Sequence, residues 1–253
     1  MKGTRIYLTI LTIITVLCVI FGALYHVGNF FGRLSFLPSI HIGGVFGKST
    51  STATDIDEPV KDIEIDAAIY DLTITEGDKV SVSYEGNEEL APIVEQEKGT
   101  LKIKQKKNVN VKGFKEADCR LTLTIPQTGI KEIDISLDLG DLDLTDVNVG
   151  KLTIDANLGN VEGSRVNAKK LDIDANLGNV VFNAVDFEDL TVDADMGNVE
   201  IYSNTDLSDH EIDVNTDMGT VSYYGKSCGR DYSQAGKAGK ISIDVDMGDI
   251  KLK

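Results

Sequence analysis

Leu152-Thr153-Ile154-Asp155-Ala156-Asn157-Leu158-Gly159-Asn160-Val161 is followed 19 residues later by Leu171-Asp172-Ile173-Asp174-Ala175-Asn176-Leu177-Gly178-Asn179-Val180. A repeat at this distance marks stacked structural units, because a segment of about twenty residues cannot bury its own apolar face. The pattern recurs at Leu139-Gly140-Asp141, Met196-Gly197-Asn198, Met218-Gly219-Thr220 and Met247-Gly248-Asp249. In chain order the glycines are separated by 19, 19, 19, 22 and 29 residues.

Ile133, Leu152, Leu171, Leu190, Ile212 and Ile241 stand seven residues before a glycine, and the fifth and third positions before it are again mostly apolar or small. Leu or Met stands immediately before each glycine. This period of two predicts a strand whose seventh, fifth, third and first positions point inward. The sixth, fourth and second positions, nearly all Asp, Asn, Thr or Ser, point outward. Alternation resumes two residues after the glycine, at Leu142, Val161, Val180, Val199, Val221 and Ile250. Each unit is therefore a strand, a glycine corner, a second strand and a variable return. Glycine suits the corner because it takes positive φ without steric cost, and the Asn or Asp beside it can bond the turned backbone.

Units stacked at about 4.8 Å satisfy each other's backbone groups, and parallel connections are right-handed by default. The expected fold is all-β, a right-handed parallel β-helix or β-solenoid over residues 131–253 with rungs near 19 residues. Residues 56–130 read as an irregular N-terminal β cap. It includes one degenerate rung, Ile63, Ile65, Ala67, Leu72 and Ile74, with Tyr70 where glycine belongs. The sequence stops just after the last repeat, which makes the final rung the expected open edge, available to a partner or a second copy.

From Ile6 to Tyr25 there is no formal charge, while Lys2 and Arg5 precede this run and no Lys or Arg follows until Arg33. Length and charge predict a transmembrane helix with its N-terminus in the cytoplasm. The expected division is residues 1–27 as anchor, 28–55 as juxtamembrane linker, and the rest as an extracytoplasmic domain of a single-pass cell-membrane protein. The competing reading is a cleaved secretory signal, whose apolar region is normally shorter and ends in small residues, an end that Phe21-Gly22-Ala23 fits badly. Gly43-Gly44-Val45-Phe46-Gly47-Lys48-Ser49 is no nucleotide loop, because Ile42 stands where G-x-x-x-x-G-K-[ST] needs its first glycine.

The N-terminal anchor, Leu123-Thr124-Ile125-Pro126 and the I-x-I-D-x-x-x-G-[ND]-V units resemble a bacterial β-strand-repeat family of unknown function, often labelled adhesin, which includes LiaG-like membrane-anchored proteins. The resemblance covers roughly residues 56–253. It implies a membrane-anchored β-solenoid and supplies no catalytic residues.

The chain holds 25 Lys+Arg against 41 Asp+Glu, a net charge of −16. Residues 1–54 contain four bases and no acid, so residues 55–253 carry 21 bases, 41 acids and a net −20. Nucleic acid is thereby excluded as a partner. Among three histidines only His210 lies in the outer domain, too few for a zinc cluster or a Ser/His/Asp triad. Cys119 alternates with Leu121, Leu123 and Ile125 and is read as a core residue. Cys228 is read as free, with a disulfide between the two disfavoured by their spacing.

Outward aspartates repeat from unit to unit, and neighbouring carboxylates one rung apart cost just under about 1 kcal/mol even in water. Hydration and interleaved Asn and Thr are one answer, with charge opposing sheet aggregation. The other is a divalent cation, Ca²⁺ by its preference for oxygen ligands, held by Asp193, Asp195, Asp217, Asp244 and Asp246. Lys102, Lys104, Lys106 and Lys107 form a basic strand edge suited to anionic polymer or lipid. The insertion from Ser222 to Lys240 is the expected partner-binding surface, through Tyr223, Tyr224, Arg230 and Tyr232, because insertions in repeat proteins gather on one face. The sequence therefore reads as a non-enzymatic cell-envelope interaction or structural module that binds an envelope protein or wall polymer. Apart from that cation, no cofactor or nucleotide is expected. The alternative is a carbohydrate-active β-helix enzyme, a polysaccharide lyase or hydrolase using paired carboxylates.

Overall fold

The computed structural model describes residues 49–105 and 119–253. The expected anchor, residues 28–48 of the expected linker, Lys106 and Lys107 lie outside these. Among the described residues no helix is long and apolar enough to cross a membrane.

In chain order the first strands are β1 (Ser49–Asp55), β2 (Asp62–Ala67), β3 (Asp71–Glu76), β4 (Ser81–Asn87), β5 (Ile93–Glu97), β6 (Thr100–Lys104) and β7 (Arg120–Ile125). The central repeats give β8 (Glu132–Leu137), β9 (Leu142–Thr145), β10 (Asn148–Leu158), β11 (Val161–Ser164), β12 (Asn167–Leu177), β13 (Val180–Val185), β14 (Asp189–Met196) and β15 (Val199–Ser203). The last are β16 (Glu211–Met218), β17 (Val221–Tyr223), β18 (Lys226–Gly229), β19 (Asp231–Gln234), β20 (Lys240–Met247) and β21 (Ile250–Leu252).

Strands before the corner form a ten-stranded sheet and strands after it an eleven-stranded sheet. Register between central rungs is the repeat itself: Leu152 pairs with Leu171, Ile154 with Ile173, and Val161 with Val180, all in parallel. The seventh, fifth and third positions before each glycine are buried between the sheets, as are Leu142, Val161, Val180, Val199, Val221 and Ile250. These side chains make one continuous core.

The corner glycines are required twice over. Gly140, Gly159, Gly178 and Gly197 have φ of 128, 145, 154 and 151°. A Cβ on Gly159, Gly178 or Gly197 would also stand 1.9, 1.8 or 1.7 Å from the carbonyl oxygen of the preceding corner glycine. The neighbouring Asx side chains bond from rung to rung, not within their own turn. Asn160 N–H donates to Asp141 Oδ1 (2.7 Å), Asn179 N–H to Asn160 Oδ1 (3.0 Å), and Asn198 N–H to Asn179 Oδ1 (3.0 Å). Asp249 N–H continues the ladder to Asn198 Oδ1 (2.9 Å) and Thr220 N–H to Asp249 Oδ1 (2.9 Å). A second corner lies six residues past the glycine, where Asp146, Arg165 and Ala184 take φ of 56, 55 and 56°. Beyond it Val147 and Val149, Val166 and Ala168, and Val185 and Phe187 turn back into the core.

Three expectations are corrected. The Leu or Met before each glycine does not point inward: Leu158, Leu177, Met196 and Met218 are 48, 42, 46 and 62% exposed. The backbone is already bending into the corner there, so the alternation of the strand no longer applies and two consecutive side chains face solvent. The final rung is not an open edge either. β20 pairs with β14 on one side and β16 on the other, and β21 lies between β15 and β17. The 22-residue interval carries β16 and β17 two levels beyond β14 and β15, and the chain's last rung returns to fill the level between. This pairs both of its edges. Finally, residues 49–55 of the expected linker form β1, paired antiparallel with β4.

Residues 56–130 hold two rungs in register with the repeat, not one. β2 and β3 pair with β8 and β9, while β6 and β7 stack outside them. Antiparallel strands then close the exposed backbone: β5 on β6 and β4 on β7 at one end, β19 on β16 and β18 on β17 at the other. Tyr70 fills the glycine position, with its hydroxyl donating to the Leu90 carbonyl and its ring 5.5 Å from that of Tyr84. Cys119 is buried beside the Tyr84 hydroxyl (3.3 Å), and both Cys119 and Cys228 are free thiols.

Candidate interaction surface

The ten-stranded sheet presents its outward side chains in columns, because each rung repeats the register of the one below. Eight residues before the corner the column mixes both signs: Lys151 Nζ lies 2.7 Å from Glu132, and Lys240 Nζ lies 3.7 Å from Glu211. Four residues before the corner there is no such compensation. Asp155, Asp174, Asp193 and Asp244 are successive neighbours, bounded by Ser136 and Asn215. Partial burial, and then the negative charges of Asp155 and Asp195, raise the Asp174 carboxyl above its ordinary range.

Two residues before the corner, Asn157 donates to Asp138 (2.9 Å) and Asn176 to Asn157 (2.5 Å). These amides separate charge in the first half of the column. Asp195, Asp246 and Asp217 then follow on β14, β20 and β16, three acids on adjacent rungs. The five residues expected to hold a cation thus share one patch, Asp193 and Asp244 in one column and Asp195, Asp246 and Asp217 in the next. The re-entrant last rung sharpens the patch by bringing β20 between β14 and β16. Among the described residues no group of three or more His, Cys, Asp or Glu side chains is placed to hold a metal ion. What the patch offers is an array of oxygen acceptors at rung spacing.

The predicted aromatic surface is divided by its packing. Tyr223 and Tyr232 stack at 4.5 Å with ring planes 25° apart, and both pack on the core beneath the closing strands. Burial, then the neighbouring Tyr232 and Tyr224, push the Tyr223 hydroxyl up to about 12. Tyr232 donates to Gln234 (3.0 Å), whose amide reaches the carbonyls of Leu207, Ser208 and His210 at 3.1, 2.9 and 3.0 Å. This pair therefore closes the end of the solenoid. Tyr224, 45% exposed, and Arg230, exposed where β18 leads into β19, remain available for contact.

Of the expected basic edge, Lys102 and Lys104 lie within the described residues, and Lys102 is paired within the fold. β5 covers β6, and Lys102 lies 3.0 Å from Glu64, whose hydrogen bond and charge raise the lysine's pKa. Lys104 sits across the strand from Asp66. His210 is buried against Phe187, with ring centres 6.2 Å apart, and Nδ1 has no partner. The inter-rung Asx ladder and the exposed Leu/Met column were missed by sequence reasoning. The signal for both was present in the identical spacing of these residues about each glycine.

The model of the Toastrack DUF4097 family matches residues 60–253, which span every rung. The chain belongs to the Toastrack DUF4097 family. The expected membership of a β-strand-repeat family holds with it. Among solved structures, a "putative cell adhesion protein" from Clostridium sporogenes aligns over 81% of this chain and 99% of its own, at 16% identity and a TM-score of 0.49. A "putative adhesin" from Bacteroides fragilis aligns over 81% of this chain and 96% of its own, at 14% identity and a TM-score of 0.48. No curated protein matches the chain. In this Toastrack domain the outward residues stand in columns running from rung to rung.

Proposed function

We propose that this Toastrack domain is the extracytoplasmic part of a single-pass, N-in membrane protein and serves the cell envelope as a non-enzymatic interaction or structural module. Its coil is right-handed on this reading, and its partner is an envelope protein or wall polymer. The observation that carries the proposal is the repetitive outer face, where side chains of one kind recur at fixed spacing over successive rungs. Such a surface recognises extended or multivalent partners through many weak contacts. The uncharged run from Ile6 to Tyr25, with Lys2 and Arg5 before it, supports the anchor and its orientation.

Incubation of the purified chain with cell-wall polysaccharide tests the proposal against the glycan-enzyme alternative. Retention of an envelope component without release of soluble sugar is expected. Time-dependent release of oligosaccharide, abolished by substitution of an outward Asp, would overturn it.

A further inference from the structure

The exposed column before the corner has a chemistry unlike the rest of the surface. Leu139, Leu158, Leu177, Met196, Met247 and Met218 occupy adjacent rungs in that order. Outward positions elsewhere on these strands are mostly Asp, Asn, Thr or Ser, yet this one is Leu or Met in all six repeats. The core does not explain that choice, since four of the six are more than two-fifths exposed. Contiguous exposed apolar surface of this kind marks an interaction site.

The backbone holds the column rigidly. The corner N–H groups of Gly140, Gly159, Gly178, Gly197 and Gly248 donate to the carbonyls of Leu158, Leu177, Met196, Met247 and Met218 at 3.0, 3.0, 3.1, 3.0 and 3.0 Å. Successive side chains are thus one rung apart, and six of them make a ridge about 24 Å long at about 4.8 Å per rung.

Both flanks are acidic. On the side of the ten-stranded sheet stand Asp138, Asp195, Asp246 and Asp217, and on the other Asp141 and Asp249, with Asn or Thr in the remaining flanking positions and no base. Anionic lipid, or the same ridge of a second copy, would meet like charge. An apolar stripe bordered by Lys or Arg would meet opposite charge and a complementary face.

We propose that this ridge docks a basic amphipathic helix of a partner protein. A helix laid along the solenoid axis presents an apolar side chain about every 5.4 Å, close to the rung spacing, and about 16 residues cover the ridge. Methionine at three of the six positions lets the ridge adapt to the partner's side chains. The inference rests on the interaction role proposed above and names the chemistry of the partner.

The test uses the full chain in detergent and a labelled Leu/Lys helical peptide of about 16 residues, with binding read by fluorescence anisotropy. Peptide binding that weakens as salt rises is expected. The combined variant Leu158→Gln, Leu177→Gln, Met196→Gln should keep the wild-type circular dichroism and melting temperature and bind at least about tenfold more weakly. Neutralising the flank by Asp195→Asn, Asp217→Asn, Asp246→Asn should weaken binding and flatten its salt dependence. The proposal is overturned if the apolar variant binds as wild type, or if a Leu/Glu peptide binds equally well. A wild-type dimer in sedimentation that the Gln variant abolishes would also overturn it, by making the ridge a self-association surface. Loss of peptide binding with envelope retention intact would remove the ridge and leave the interaction role standing.

Discussion

Gly178→Ala isolates the constraint that makes the corners glycine. The added methyl would stand 1.8 Å from the Gly159 carbonyl oxygen, while contacts under 3.0 Å do not occur, so the two rungs must part by more than an ångström. The bonds that join them at this corner include Gly159 N–H to Leu177 (3.0 Å), Val161 N–H to Asn179 (2.9 Å) and Asn179 N–H to Asn160 Oδ1 (3.0 Å). Loss of two or three of these costs about 2–3 kcal/mol at roughly 1 kcal/mol each. The φ of 154° adds about 1–2 kcal/mol for a residue with a Cβ, for a total near 4 kcal/mol. Gly129→Ala is the control, because Gly129 has a φ of 110° but nothing within 4 Å of the added methyl. It bears only the conformational cost, about 1–2 kcal/mol. Urea unfolding at matched pH should place the two variants about 2–3 kcal/mol apart. Equal destabilisation would refute the close-approach argument and leave positive φ as the whole reason for glycine.

The Asx ladder predicts that Asn160→Ala, which removes the acceptor of the Asn179 N–H, costs about 1–2 kcal/mol in urea unfolding, while Asn160→Asp costs less. The Asp174 carboxyl titrates above its ordinary range in the folded chain, so the native state holds the extra proton in that window and stability rises as pH falls through it. Asp174→Asn should therefore raise the melting temperature near neutral pH, with the gain shrinking on acidification; a gain independent of pH would count against like-charge repulsion. Tyr232→Ala removes the stacked lid on Tyr223 and should cost about 2–4 kcal/mol, whereas Tyr224→Ala, which loses an edge-on contact with Tyr223 at 4.7 Å, should cost only about 0.5–1.5 kcal/mol. Asp193, Asp195, Asp217, Asp244 and Asp246 stand on adjacent rungs as like charges, and hydration with the interleaved Asn suffices to separate them if melting curves in calcium and in chelator superimpose. A rise with calcium would show cations bridging the rungs.

The rung was legible from Leu152 to Val180 because a strand's period of two and a fixed glycine interval leave one register. The reading failed at the residue before each glycine, where the turning backbone ends the alternation and sends Leu177 and Met196 outward. The second corner escaped it, since Asp146, Arg165 and Ala184 take positive φ without glycine to mark them. Spatial order at the ends was not legible either. Which edge a strand pairs with depends on the edges left open by others, and β20 closes a gap that exists only because β16 went past it. Of the candidate residues, Asp193, Asp195, Asp217, Asp244 and Asp246 lie on one outer patch. Tyr223 and Tyr232 pack on the core as well, which the sequence does not reveal because aromatic residues that close a core look in sequence like those that meet a partner.

The most direct test is crosslinking of whole cells that express the full chain with a membrane-impermeant reagent. The account predicts that intact cells yield a discrete adduct between this chain and a second envelope component. A chain that reacts only after the cells are broken, or that forms no adduct from outside, would contradict it.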